Sequence, residues 1–424
     1  MESFLKLVAT DLYNRTQGDL AHTAVVFPNK RAGLFFNEHL AEQSDTPIWS
    51  PAYVSISELF RSLSIWEVGD PVKLVCELYK VFLHETQSKE TLDDFYFWGE
   101  MLISDFDDAD KNMVDTDNLF TNLQDLKNIM DDYTFLNNEQ EEAIQQFFQN
   151  FSIERRTELK EKFISLWDKL GTIYHHYREN LTELGIAYEG MLYRNVIEQL
   201  DTDQLKYDKY IFVGFNVLNK VESDFFRKLK DAGKALFYWD YDIFYTQQIK
   251  KHEAGEFLKR NLEEFPNELP ESFFNTFKES KKIRYISAST ENAQARFLPG
   301  WIKAITNDHS QITVEKEKEN AVVLCNEALL LPVLHSIPQE VKNVNITMGF
   351  PLAQTPVYSF INAVMELQTN GYRSDTDRFT YEAVSAILKH PYTQQLSSHA
   401  GPLERELTQT NRFYPLPSEL KQDD

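Results

Sequence analysis

The stretch YDKYIFVGFNVLNKVESDFFRKL, residues 207–229, reads as a strand, a turn and a helix. Tyr210 to Val213 is a short apolar run closed by Gly214, and Val221 to Leu229 places Phe225, Phe226 and Leu229 on one helical side. In a nucleotide-hydrolysing α/β protein, such a strand end carries an acidic pair that holds Mg²⁺. Here the two positions are Gly214 and Phe215, which have no metal-binding oxygen in their side chains. A phosphate cradle needs a glycine-rich backbone, then Lys, then a Ser or Thr hydroxyl. The Gly233-Lys234 pair lacks the leading glycine and the hydroxyl, and reads as a helix-ending glycine. The apolar run AVVF is followed by PNKRAG, which is no phosphate loop either. Lys30 and Arg31, near a helix start, are cations open to a phosphate backbone or simply a solvated pair.

Metal and nucleophile chemistry fare no better. SDFDDADKNMVD (104–115) offers Asp108, Asp110 and Asn112 at alternate positions, but Met113 stands where a calcium loop turns on glycine. Leu119 stands where that loop needs its bidentate Glu, so an acidic helix end is expected. His175 and His176 are adjacent and diverge on a helix, unlike an i, i+4 ligand pair. Glu340-Val341-Lys342 has the letters of a nuclease strand but sits in a polar turn. Patterns for a serine or cysteine nucleophile or a zinc protease are missing. The expectation is a chain with no cofactor, no metal site and no intact ATPase or nuclease site.

The elements that would position such residues follow from composition and periodicity. With 424 residues, 42% hydrophobic and 13% aromatic, the chain has enough apolar matter for two or three cores. Abundant Phe (31) and Tyr (20) with scarce Gly (14) and Pro (15) favour long helices. A net charge of −23 works against non-specific attraction to phosphate backbones, so any nucleic-acid role needs local patches or a basic partner. Cys76 and Cys325 are far apart in apolar stretches and are expected to be buried thiols in a reducing compartment. No apolar run approaches the ~18 residues of a membrane span, and MESFLKLVATDLYNR reads as an amphipathic helix, so a cytoplasmic protein is expected.

Along the chain, a helix at 1–16, a strand at Ala24–Phe27, a helix at Arg31–Leu40 and a strand at Ala52–Ile56 give a parallel-sheet rhythm. Ser57 is a possible cap for the helix SELFRSL. From about 70 to 200, segments such as PVKLVCELYKVFLHET, NEQEEAIQQFFQNF and TELKEKFISLWDKLGTIYHHYRENL show helical spacing throughout. Sheet texture returns with IFVGF and ALFYWDYDIFY, so an α/β unit split by a helical insertion is expected. A second α/β rhythm follows, with strands expected at 283–290, 320–326 and 343–350 and a helix after each. One more helix, TYEAVSAILKH, precedes a polar end with no closing element.

This order of elements resembles the superfamily-one DNA helicases of the exonuclease V and AddAB type. AVVFPNKRAGLFFNEHL is similar to the strand and helix after their phosphate loop, and YDKYIFVGFNVLNKVESDFFRKL to the strand bearing their Asp-Glu pair. ALFYWDYDIFY resembles their following strand, with Asp240, Asp242 and Tyr245 falling in its pattern. ENAVVLCNEALLLPVLHSI and NVNITMGFPLAQTPVYSFINAVMEL resemble the start of their second RecA-like domain, with Leu324-Cys325 in place of a Tyr-Arg pair. The departures remove catalysis: nothing remains to hold Mg²⁺ or steady charge in the transition state.

The resemblance therefore implies the inactivated helicase portion of an AddB-like subunit, in a Bacteroides-like version. Its fold would be α/β, with P-loop NTPase (RecA-like) parallel sheets and a large all-helical insertion. The implied division is 1–65 and 204–250 for the first RecA-like domain, 66–203 for the insertion and 251–281 for a linker. Residues 282–370 would be a partial second RecA-like domain and 371–424 the start of a further helical insertion. Such family members continue for several hundred residues into a PD-(D/E)XK nuclease. Gly214, Phe215, Asp240, Asp242 and Cys325 would be the degenerate nucleotide-site positions. Asn29, Lys30, Arg31, Asn216 and Asn219 would be contacts to DNA, and an AddA-like helicase subunit the motor partner. The function implied is a non-catalytic module for double-strand-break repair and recombination. An acidic protein-interaction scaffold without DNA contact is the alternative from the charge, and an active ATPase a third reading.

Overall fold

The computed structural model describes residues 3–120, 169–248, 252–305 and 320–421. The chain divides into two compact units, Met1–Lys281 and Lys282–Asp424. In chain order the first unit runs Phe4–Thr16 (α1), Thr23–Phe27 (β1), Lys30–Ala41 (α2), Ala52–Ser55 (β2), Ile56–Leu63 (α3), Glu67–Val68 (β3), Pro71–Thr86 (α4) and Leu92–Lys111 (α5). After these come a helix at 169–183 (α6), Ile186–Ala187 (β4), Glu189–Gln199 (α7), Lys209–Val213 (β5), Lys220–Asp231 (α8), Ala235–Tyr238 (β6) and Glu253–Glu264 (α9). The expected helix NEQEEAIQQFFQNF and the first part of TELKEKFISLWDKLGTIYHHYRENL lie outside the described residues.

Four strands form one parallel sheet in the order β2-β1-β5-β6. The two inner strands are buried along TAVVF and YIFV, as continuous apolar runs covered on both faces must be. Ala24, Val26, Tyr210, Phe212 and Phe237 point to one face, where α3 and α8 supply Phe60, Phe225 and Phe226. Val25, Phe27, Ile211, Val213 and Tyr238 point to the other, where α1 and α2 supply Leu12, Phe36 and Leu40. The sheet is thus doubly wound, with β1–α2–β2 moving outward in one direction and β5–α8–β6 in the other. The cap of α3 is Ser55, not Ser57: Ser55 Oγ accepts from the Glu58 N–H, and the Glu58 carboxylate accepts from the Ser55 N–H.

The helical block between β2 and β5 closes on itself. A two-residue parallel ladder joins β3 to β4, a pairing too short to leave an alternating pattern in the sequence. Where α5 crosses α7, Gly190 lies against the Asp107 backbone and leaves no room for a Cβ. One turn along α5, the Asp110 side chain is fully buried. Its Oδ1 accepts from the Tyr174 hydroxyl (2.6 Å), Arg178 Nη1 (2.6 Å) and Arg194 Nη1 (3.3 Å), and its Oδ2 from the Tyr188 hydroxyl (2.5 Å).

Within 252–281, the stretch expected as a linker, α9 forms, and Leu258, Phe265, Leu269 and Phe274 are buried against the sheet. Trp239 Nε1 donates to the Phe265 carbonyl (2.8 Å), and Arg15 pairs with Glu268 (2.7 Å). Cys76 is only half-buried, and in the second unit Cys325 is exposed.

The second unit contains Glu291–Ile305 (α10), Leu330–Ser336 (α11), Pro356–Thr369 (α12), Tyr372–Arg373 (β7), Arg378–Phe379 (β8), Tyr381–Leu388 (α13), Pro391–Leu396 (α14), Ala400–Gln409 (α15) and Pro417–Leu420 (α16). The helices expected after each apolar segment form. The strands expected at 283–290, 320–326 and 343–350 do not: among the described residues these segments carry no strand and no ladder, and Tyr285 and Val323 are 90% and 85% exposed. A strand has no stability without a lateral neighbour, and the described residues provide these segments with none. The expected second parallel sheet is replaced by the antiparallel pair β7–β8. The chain beyond Ala400 also does more than trail away, since α15 buries Leu403 and Leu407 against Val384.

Removing the carboxylate at Asp110 leaves Arg178 and Arg194 without their buried counter-charge. Asp110→Ala is expected to lower unfolding free energy by about 3–5 kcal/mol, read from urea denaturation followed by circular dichroism.

Candidate functional site

A doubly wound sheet has one natural ligand crevice, outside the carboxyl ends of the strands where the winding direction reverses. Here that point lies between β1 and β5, so its rims are Pro28-Asn29 and the loop Gly214–Asn219. The expected DNA contacts Asn29, Lys30, Arg31, Asn216 and Asn219 fall at these same two rims, at the ends of neighbouring strands, whereas Asp240 and Asp242 follow β6 and Cys325 is in the second unit. The geometry then assigns most of them other work.

Asn29 is the N-cap of α2, with its Oδ1 accepting from the N–H groups of Arg31 (3.1 Å) and Ala32 (3.3 Å). Asn219 caps α8, with Oδ1 accepting from the Glu222 N–H (2.8 Å) while Glu222 accepts in return from the Asn219 N–H (3.1 Å). Both helix ends that would receive a phosphate therefore spend backbone donors on their own side chains. Burial raises the Glu222 carboxyl above its ordinary range, against the pull of the Asn219 N–H and of Lys111. Lys30 is ion-paired with Glu58, the acid of the α3 capping box. Asn216 is exposed, and its carbonyl accepts from Asn261 Nδ2 (2.6 Å). Arg31 is exposed and makes no side-chain hydrogen bond or ion pair among the described residues.

The residues expected as degenerate nucleotide-site positions are equally engaged. Gly214 turns the chain at φ +75°, a conformation that favours glycine, while its N–H donates to the Tyr238 carbonyl (2.9 Å). Phe215 is 5% exposed and meets Phe226 edge-on at 5.3 Å and Phe212 at 6.2 Å. Where a metal-binding acid would face outward, an aromatic ring faces the core. Asp240 stands at an exposed position, and desolvation by its surroundings pushes its carboxyl up. Asp242 is a structural anchor: it accepts from the N–H groups of Phe244 (2.8 Å), Thr276 (2.9 Å) and Phe277 (2.8 Å). Burial raises its carboxyl, but these three donors and Lys281 together hold it below the usual Asp range. Cys325 lies on an exposed bend in the second unit, on no strand.

Gly233 ends α8 at φ +67°, and Lys234 Nζ donates to the Thr202 carbonyl (2.8 Å). His175 and His176 go to different acids, Asp117 (2.7 Å) and Glu85 (2.8 Å). No group of three His, Cys, Asp or Glu among the described residues is arranged to hold a metal ion, and no described helix is long and apolar enough to cross a membrane.

Two clusters escaped the sequence reading. Lys111 pairs with Asp107 (2.8 Å) and Glu189 (2.9 Å), and Arg61 also reaches Glu189 (3.3 Å). Its members come from helices far apart in the chain, so no local motif marks it. In the second unit Ser359 Oγ lies 3.0 Å from His390 Nε2. The His390 Nδ1 lone pair accepts from the Tyr392 N–H (3.2 Å), so Nε2 carries the ring hydrogen and donates to Ser359. Ser359 in turn donates to the Pro356 carbonyl (2.9 Å), which leaves no base to activate the hydroxyl.

The sequence matches no family model and no curated protein.

Two outcomes follow from this geometry. Phe215→Glu buries a carboxylate among rings and is expected to cost about 3 kcal/mol or more in urea unfolding, without gaining Mg²⁺-dependent ATP hydrolysis. For Asp242, a lowered folded-state pKa means stability that is complete above the ordinary Asp value of ~3.9 and is lost as pH falls through the folded value. The unfolding midpoint of wild type is expected to exceed that of Asp242→Asn at neutral pH and to converge with it in acid.

Proposed function

We propose that this chain is the non-catalytic, RecA-like helicase module of an AddB-like subunit, serving double-strand-break repair and recombination in the cytoplasm. It would bind DNA, single-stranded or at a duplex end, beside an AddA-like motor subunit that supplies the ATPase. The observation that carries this reading is the crevice between β1 and β5. The parallel sheet and its reversal of winding are kept, while both helix ends are capped by Asn29 and Asn219 and Phe215 is turned inward. A protein that hydrolyses nucleotide needs those donors and that acid; one that only retains the scaffold does not.

Arg31 is the residue we place on DNA, because its guanidinium is exposed and without a partner among the described residues. The acidic-scaffold reading draws on a different observation, the net charge of −23 together with the pairing of Lys30 to Glu58. Fluorescence anisotropy with single-stranded and forked DNA across a salt series separates them. Affinity that falls with salt and drops further in Arg31→Gln is expected, by about 1 kcal/mol for one phosphate contact near the surface. Absence of binding at low salt gives the scaffold reading instead. Mg²⁺-dependent ATP turnover by the wild type is expected to be nil, and measurable turnover removes both.

A further inference from the structure

The second unit contains a cleft of about 650 Å³ between α10 and α11, lined by Asn292, Arg296, Pro299, Leu331, Pro332 and His335, with Ser336 at its edge. Its lining follows helical spacing. Asn292, Arg296 and Pro299 recur at steps of four and three on α10, and Leu331 and His335 at a step of four on α11. Two helical faces therefore look at each other across the cleft. Each polar group on them can donate: the exposed Arg296 guanidinium, the Asn292 amide and the His335 ring make no side-chain hydrogen bond or ion pair among the described residues. Ser336 Oγ is already committed to the Pro332 carbonyl (2.7 Å). The acid of the first turn of α10, Glu291, is held by Asn326 Nδ2 at 3.2 Å to each oxygen. The remaining wall is apolar, from Pro299, Leu331 and Pro332.

We propose that this cleft binds a small organic phosphomonoester, with its phosphate on Arg296, Asn292 and His335 and its apolar body against the two prolines and Leu331. A guanidinium fork without a partner among the described residues matches two oxygens of a phosphate, and the amide and ring N–H groups reach a third oxygen that a carboxylate lacks. The volume falls in the range of pockets that take small organic molecules and exceeds what inorganic phosphate alone fills. This site is independent of the crevice between β1 and β5.

Isothermal titration calorimetry of the full chain with phenyl phosphate tests it, with inorganic phosphate and phenol as the two halves of that probe. Saturable one-to-one binding of phenyl phosphate is expected, weaker for inorganic phosphate and absent for phenol. Arg296→Gln is expected to weaken it at least about tenfold, the usual effect of losing a hydrogen bond to a charged group. Leu331→Glu, which places a carboxylate in the cleft from an exposed position, is expected to abolish it; circular dichroism checks that each variant folds. No binding of phenyl phosphate into the millimolar range overturns the proposal. So does equal affinity in wild type and in folded Arg296→Gln and Leu331→Glu proteins.

Discussion

The buried carboxylate of Asp110 is the interaction on which the first unit turns. A charge with no exposure is tolerated only when it is fully bonded, and Asp110 has two phenol donors and two guanidinium groups around it. The phenols are held in the donor state: burial first, then the neighbouring Asp110 charge, pushes Tyr174 up to about 12, and the same causes raise Tyr188 well above its ordinary value. The four bonds tie α5 to three parts of the returning chain, Tyr174 and Arg178 on α6, Tyr188 before α7 and Arg194 on it. That closure brings β4 alongside β3 and delivers the chain to β5. Residues 209–212 then pair with residues 23–26 on the far side of the helical block.

How much of this was legible depended on whether the signal was local. The runs AVVF and YIFV announce inner strands because a strand buried on both faces has no polar positions to alternate with. The capping box of α3 was also present in the letters, as Ser55 three residues before Glu58, and the nearby Ser57 drew the reading away from it. Asp110 was not legible. In SDFDDAD it is one acid among several, and what makes it different is supplied by residues 64 to 84 positions later. Phe265 and Phe274 looked like part of a proline-punctuated linker for the same reason, since their partners are on β5, β6 and the chain that follows.

The second unit shows the opposite error. IRYISAST, NAVVLCN and NVNITMGF have the apolar content of strands, and periodicity alone assigns them so. Parallel pairing is a property of neighbours, however, and the described residues give these segments none. Helices need no such neighbour to satisfy their backbone, which is why α10, α11 and α12 form beside them while the intervening segments stay unpaired.

The crevice between β1 and β5 joins these themes. Phe215 contacts Phe212 and Phe226, Phe212 stacks with Phe237 at 5.5 Å, and Phe237 meets Phe265 at 4.9 Å. Phe215 is therefore one member of a chain of rings that also secures the segment after α9 to the sheet. Aromatic pairs of this kind contribute about 0.5–1.5 kcal/mol each beyond the area they bury. Once the core includes Phe215, an acid at that position is opposed twice, by its own desolvation and by the contacts it removes. Stability and the lack of a metal ligand become one constraint. The sheet can then persist, and present Arg31 at its rim, for reasons that have nothing to do with nucleotide chemistry.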